Sequence, residues 1–141
     1  MPSFGVDKEE VTAFHLGDKY LFTAYFDEDS LFEQLKSYYS SDQYRFEIPE
    51  GELEDVQQIL DEFFYKLVIE ENLSDYCVVI ERDTDSSDIL RSSVMREQWR
   101  QYDVFLMKDK LSVEQAVEHG GTRLKKSRVN MENLQWKTNG S

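Results

Sequence analysis

The chain has 141 residues, of which 40% are hydrophobic and 13% aromatic, and its 29 acidic residues outnumber its 16 basic residues for a net charge of −13. This length suits one domain with its own core, and the apolar content argues against a disordered chain. The negative charge argues against direct binding to nucleic acid or anionic membranes, and no apolar run is long enough to span a bilayer.

The first predicted elements are a hairpin, a helix and a third strand. Residues 11–16 and 19–26 have the composition of two strands, joined by a Gly-Asp pair that is typical of two-residue hairpin loops. A capping-box pattern and an apolar stripe predict a helix over residues 30–39. Residues 44–48 then alternate strictly between apolar and polar, which predicts a strand with one buried face and one solvated face.

The most regular stretch of the sequence covers residues 53–73. Its apolar residues follow one another in steps of three and one, which places them on one stripe of an α-helix. They are Leu53, Val56, Ile59, Leu60, Phe63, Phe64, Leu67 and Val68. The spacing predicts a helix roughly 30 Å long that forms much of the core.

The second half of the chain is less regular. Continuous apolar runs predict buried strands over residues 76–80 and 104–107, and a capping box predicts a brief helix over 112–119. Residues 88–102 are ambiguous: their pattern favours a helix, but residues 89–95 are also compatible with an edge strand.

These elements predict an α+β fold. We expect residues 1–120 to form a single domain, with a mixed sheet of about five strands and helices packed mainly on one face. Alternating strands and helices also fit a doubly wound α/β fold, but the antiparallel hairpin at the start argues against it. Residues 121–141 have a net charge of +4, which leaves −17 on the first 120 residues. We expect them to be a basic C-terminal tail, partly ordered at most.

One loop has the composition of a metal site. Asp83, Asp85 and Asp88 follow a predicted buried strand, a position where many α/β enzymes hold Mg²⁺ with carboxylate oxygens. The spacing does not match a calcium-binding helix–loop–helix motif, because Asp88 stands where Gly is required. A turn that begins the next helix explains the same residues.

No other pattern of catalytic residues is present in the sequence. Neither histidine, His15 or His119, has a nucleophile at a telling spacing. The single cysteine, Cys77, lies in the most apolar strand, where we expect a buried, unreactive thiol. The sequence has no phosphate loop, dinucleotide fingerprint or paired-cysteine zinc motif, so we predict no cofactor.

Aromatic and basic residues in the last third of the chain are candidates for contact with a partner. They combine the amphipathic rings and the cations that are common in protein interfaces. The candidates are Trp99, Tyr102, Arg123, Lys125, Lys126 and Arg128. For the basic tail, docking on the acidic body of its own or a neighbouring chain is the simpler expectation.

The sequence therefore predicts an acidic protein without enzymatic activity that acts through contacts with a protein partner or through self-association. The acidic surface suits a salty cytoplasm, and the single cysteine and the lack of a signal-peptide pattern fit a cytoplasmic location. One alternative is a divalent-metal hydrolase or nuclease built on the aspartate loop. Another is an acidic mimic of nucleic acid that blocks a basic partner.

Overall fold

The computed structural model describes residues 8–135, which form nine strands and four α-helices. The strands are β1 (Glu9–Leu16), β2 (Lys19–Phe22), β3 (Tyr39–Ser40), β4 (Arg45–Pro49), β5 (Tyr65–Glu70), β6 (Cys77–Glu81), β7 (Ser93–Trp99), β8 (Tyr102–Met107) and β9 (Thr122–Arg123). The helices are α1 (Asp29–Leu35), α2 (Leu53–Glu62), α3 (Ser87–Arg91) and α4 (Lys110–Glu118). None of the helices in this part of the chain is both long and apolar enough to cross a bilayer.

The first sheet is mixed and has five strands in the order β3-β4-β2-β1-β5. All its pairs are antiparallel except β1 and β5, which are parallel. The predicted hairpin is confirmed: β1 and β2 are joined at Gly17, whose φ of 62° is the left-handed conformation that such a turn requires. The α+β class is confirmed, and this sheet is mixed with five strands as predicted. The predicted strands at residues 76–80 and 104–107, however, do not belong to it.

A second sheet, which the sequence pattern did not predict, contains the remaining strands in the order β7-β8-β6-β9. All its pairs are antiparallel. Strands β7 and β8 form a hairpin with a two-residue loop, in which Arg100 has a φ of 57°. The ambiguous stretch at residues 88–102 thus combines both predictions, because it contains the short helix α3 followed by the edge strand β7.

The predicted helix over residues 53–73 is wrong in its second half. Helix α2 ends at Glu62, Phe64 takes a φ of 67°, and the chain then runs back as β5. Apolar residues in β5 suit a strand as well as a helix, because Val68 and Ile69 are β-branched. The pairing of β5 with β1 therefore decides the conformation, which the spacing within the segment does not encode.

The first sheet separates two apolar clusters. On one face Val11, Phe22 and Phe46 pack with Leu31 of α1 and Leu60 of α2. On the other face, residues of β1 and β2 join the buried side chains of the second sheet and of α4. The layers are therefore helices, first sheet, and second sheet with α4. This arrangement leaves an open seam where the ends of the two sheets meet.

The described part of the predicted basic tail, residues 121–135, packs on the body. Strand β9 pairs with β6, and Leu124, Val129 and Leu134 are buried in the same cluster as the second sheet. Lys125 Nζ lies 2.5 Å from a carboxylate oxygen of Asp75. The charge contact expected between tail and acidic body is present here, although most of the anchoring is apolar burial.

Candidate binding groove

The three aspartates of the predicted metal loop are all exposed. Asp85 accepts hydrogen bonds from the backbone N–H and the hydroxyl of Ser87, both at 3.1 Å, as expected for a turn at the start of a helix. Asp88 lies 3.5 Å from a guanidinium nitrogen of Arg91. Within residues 8–135 no group of three or more His, Cys, Asp or Glu side chains is placed to hold a metal ion. Metal binding by Asp83, Asp85 and Asp88 stays a prediction that these contacts do not support.

The predicted partner-binding residues fall into two separate groups. Trp99 and Tyr102 face each other at the end of the β7–β8 hairpin, with the guanidinium of Arg100 4.5 Å from the centre of the Trp99 ring. The other group lies on and after β9 and is exposed: Arg123, Lys125, Lys126 and Arg128. Three of these, all but Arg128, line a shallow basic groove that they share with Lys110, Asp75 and Glu114. Two carboxylates in that groove offset part of its positive charge.

The contacts of His15 and the burial of Cys77 indicate structural roles. His15 Nε2 lies 2.6 Å from a carboxylate oxygen of Glu50, and its Nδ1 lies 3.5 Å from Glu71. The hydrogen bond with Glu50 is the main cause that raises the pKa of His15 above its ordinary value of 6.5. Burial raises the pKa of Cys77 to about 12, so this thiol is not an activated nucleophile.

One buried carboxylate lies without a full set of partners. Asp103 on β8 is 6% exposed, and its Oδ1 has no hydrogen-bond partner in the described part of the chain. Across the hairpin it faces Gln98 of β7.

The largest groove of mixed aromatic and basic character lies at the seam between the two sheets. It encloses about 560 Å³ between the end of β2, the start of β4 and the segment from α3 to β7. We call it the tyrosine groove, and define it by Tyr25, Tyr39, Asp42, Tyr44, Leu90, Arg91, Met95 and Arg96. Tyr25, Tyr44 and Leu90 were not predicted as site residues from the sequence.

Side chains from the first sheet fix the position of the second sheet along this seam. The Thr23 hydroxyl donates to the carbonyl of Ser93 at 3.3 Å, and Arg45 Nη1 donates to the carbonyl of Val94 at 3.2 Å. The Tyr25 hydroxyl donates to the carbonyl of Arg91 at 2.5 Å. These bonds satisfy backbone carbonyls at the end of α3 and the start of β7. They therefore fix the two walls of the groove relative to each other.

Large apolar side chains are concentrated in the tyrosine groove although it is open to solvent. Tyr25 is 66% exposed, Tyr44 71% and Leu90 48%. Tyr44 also has a φ of 57°, which is costly for a residue with a Cβ and is held by a hydrogen bond from its N–H to the carbonyl of Ser40. Clustered exposed apolar groups and local backbone strain both occur more often at binding sites than elsewhere.

The charge of the groove differs from that of the rest of the protein. Its charged side chains are Arg91, Arg96 and Asp42, which give +1 within a chain of −13. Arg91 is shared with Asp88, whereas Arg96 forms no ion pair with any residue in the range 8–135. The groove therefore presents an unneutralised guanidinium beside exposed tyrosine rings.

No known protein family matches the chain, and neither the curated proteins nor the solved structures include a significant match.

Proposed function

We propose that this protein acts without catalysis by binding another protein through the tyrosine groove. The observation that carries the proposal is the cluster formed by Tyr25, Tyr44 and Leu90, which are exposed together at the seam between the sheets. Tyrosine and arginine are the residues that most often dominate the energy of protein interfaces, since both combine apolar area with hydrogen-bonding groups.

The groove is already assembled in the free protein. Its walls are linked by the bonds that Thr23, Tyr25 and Arg45 make to carbonyls of the second sheet. A partner that docks there does not have to order these walls, and this lowers the entropic cost of binding. Preorganisation of this kind supports a role in recognition.

The chemistry of the lining also favours recognition over catalysis. The groove contains tyrosines, Leu90, Met95, two arginines, serines and the carboxylate of Asp42. Nucleophilic or acid–base catalysis needs a nucleophile beside a base, and none of His15, His119 and Cys77 lines the groove. This distribution supports a binding function.

The acidic surface of the body has a separate role, which is to keep the protein soluble. A surface with a net charge of −13 stays hydrated in concentrated salt, and a single, buried Cys77 fits a reducing cytoplasm. Both points extend the proposal and are independent of the groove.

A photo-reactive amino acid placed at Tyr44 tests the site. We expect it to cross-link a protein partner in a cell extract, whereas the same group at Leu111, which is 62% exposed on α4, gives no such product. The partner is then purified and titrated against a Tyr44→Asn, Leu90→Ala double variant. Asn is chosen because it tolerates the left-handed backbone of Tyr44. The affinity should fall about tenfold or more, as for interface anchors.

Two results would contradict the proposal. One is equal cross-linking from Leu111 and Tyr44. The other is an unchanged affinity of the purified partner for the double variant, with the fold of that variant verified by its circular dichroism and thermal unfolding.

A further inference from the structure

The outer edge of β7 is open beside the tyrosine groove. The N–H of Arg82 donates to the carbonyl of Gln101 at 2.9 Å, so residues 101 and 103 direct their backbone groups toward β6. Because neighbouring strand residues alternate in direction, the even-numbered residues of β8 bond to β7. Their partners there are Trp99, Glu97 and Met95.

Arg96 and Gln98 must then direct their N–H and C=O groups away from β8. Both residues are exposed, and no strand of the described chain pairs with this side of β7. Further along the same side, the carbonyl of Val94 is already occupied by Arg45. The open stretch therefore begins after Val94 and ends at the hairpin loop.

The open edge and the groove form one continuous surface. Met95 and Arg96 belong both to β7 and to the lining of the groove. A strand added to β7 would lie about 4.8 Å from it, and its side chains would alternate between the two faces of the sheet. At the Arg96 end of the open stretch, a side chain of such a strand would therefore lie at the mouth of the tyrosine groove.

We propose that the protein partner binds as an extended peptide segment that adds a strand to β7, pairing its backbone with Arg96 and Gln98. This inference rests on the proposed function for the existence of a protein partner. The segment carries an apolar side chain that enters the tyrosine groove and a carboxylate that meets Arg96. Main-chain bonds supply affinity in this mode of recognition, and alternate side chains supply specificity.

The carboxylate follows from the local charge. Arg96 has no ionic partner in residues 8–135, and Arg91 lines the same groove. The acidic body as a whole repels an acidic peptide, but the Debye length of about 8 Å at physiological ionic strength screens most of that charge at the groove. Direct contact with the two guanidinium groups then decides the preference.

The test begins with a phage-displayed library of random peptides of about eight residues, the length of an ordinary strand. Peptides are selected on the full chain and counter-selected on the Tyr44→Asn, Leu90→Ala variant, and the consensus is synthesised. We expect a consensus with an acidic residue and an apolar residue on the same face of an extended segment. Arg96→Gln should weaken its binding about tenfold, while Arg100→Gln in the hairpin loop should leave it unchanged.

Backbone pairing is tested by methylating single peptide amides. Methylation of the amides that face β7 should abolish binding, and methylation of the alternate amides should have little effect, because only alternate N–H groups bond to one neighbour. In the bound protein, hydrogen exchange at Arg96 and Gln98 should slow strongly, while Glu97, which already bonds to β8, should change little.

The outcomes separate the two proposals. A peptide that binds the groove but tolerates methylation at every position overturns strand addition and leaves the proposed function standing. A library that yields no peptide dependent on Tyr44 and Leu90 overturns the strand-addition inference, and the proposed function then depends on its cross-linking test. If the Arg96 and Gln98 amides become more protected from exchange as the protein concentration is raised without any peptide, a second copy of the chain occupies the edge. That result would also overturn the inference.

Discussion

The two long edge strands of this protein, β5 and β7, differ in whether the backbone groups on their outer edges are hydrogen-bonded. On the outer edge of β5, the N–H of Leu67 donates a hydrogen bond to Gln57 Oε1 of α2 at 3.1 Å. That N–H faces outward because Glu9 donates to the carbonyl of Phe64, which assigns the alternate residues 64, 66, 68 and 70 to β1. On the outer edge of β7, no residue in the range 8–135 covers the backbone groups of Arg96 and Gln98 in this way.

This difference is informative because open edges carry a cost. An unpaired edge recruits other strands and promotes aggregation, so proteins usually cover it or shorten it. Here a helix side chain covers the middle of one edge, while β9 and β3, the other two edges, contain only two residues each. The edge left open is the one that adjoins the tyrosine groove, which is why we interpret it as a binding surface.

The cover of the β5 edge depends on the packing of α2, and breaking that packing should have the largest effect. Leu60 is fully buried under the first sheet. Leu60→Ala should lower the free energy of unfolding by about 2–5 kcal/mol through lost burial and a cavity, measured by chemical denaturation.

The control is Glu54→Gln on the exposed side of the same helix, which should stay within about 0.5 kcal/mol. Equal losses from the two substitutions would show that α2 is not packed on the sheet through Leu60.

Removing the covering side chain itself should sharpen the comparison. Gln57→Ala removes the acceptor for the N–H of Leu67. The free energy of unfolding should fall by about 1 kcal/mol, because one hydrogen bond is lost. The loss is measured by chemical denaturation, with Gln58→Ala, an exposed neighbour on α2, as the matched control. If both variants are as stable as the parent chain, Gln57 does not protect the edge.

Salt should have opposite effects on the stability of the acidic body and on binding at the groove. Raising KCl from about 0.1 to 2 M screens repulsion among the carboxylates, so the melting temperature should rise, while the peptide selected on the groove should bind more weakly. The control is a variant with Glu54→Gln, Asp55→Asn and Glu62→Gln on the exposed side of α2. If that variant gains as much from KCl as the parent, repulsion on the surface is not the cause and the high-salt interpretation is wrong.

The smallest expected effect is at the far end of the first sheet from the groove. His15 stacks on Tyr20 and lies between Glu50 and Glu71, and the hydrogen bond with Glu50 raises the pKa of His15. A raised pKa in the folded state gives stabilisation that is complete below pH 6.5 and is lost as pH rises through the folded value.

Both carboxylates are half exposed or more, so this contribution should be below about 0.5 kcal/mol. His15→Gln should flatten the pH dependence of the free energy of unfolding across that window and leave peptide binding at the groove unchanged. A variant that keeps the full pH dependence would show that the ion pairs do not stabilise the fold.

Local patterns in the sequence were sufficient for some elements and insufficient for others. The apolar run of residues 19–26 correctly predicted a strand, β2, which lies between β4 and β1. It was predicted to continue to residue 26, but pairing ends at Phe22, so Tyr25 was assigned to the sheet instead of the groove. The sequence shows that residue 25 is a tyrosine, but whether its ring is buried or exposed depends on how the second sheet packs beside it.

The same limit applies to the rest of the site. Tyr44 was predicted to begin a strand, yet it has a left-handed backbone in the β3–β4 turn, where its N–H donates to the carbonyl of Ser40. Strand β7 has a weak apolar stripe that fits an exposed edge, and only its pairing with β8 distinguishes it from a helix. The composition did predict a basic tail, and Arg123, Lys125 and Lys126 line a groove of their own. It did not indicate that Arg91 and Arg96 lie beside Tyr25 and Tyr44.

Hydrogen exchange of the free protein tests the contrast between the two edges most directly. We predict slow exchange at Leu67 in the parent chain and fast exchange there in Gln57→Ala. On the other edge, Arg96 and Gln98 should exchange fast while Glu97 between them exchanges slowly, because only Glu97 bonds to β8. Arg96 and Gln98 amides that are as protected as Glu97 in dilute monomeric protein would show that the edge of β7 is already paired, and would contradict the account.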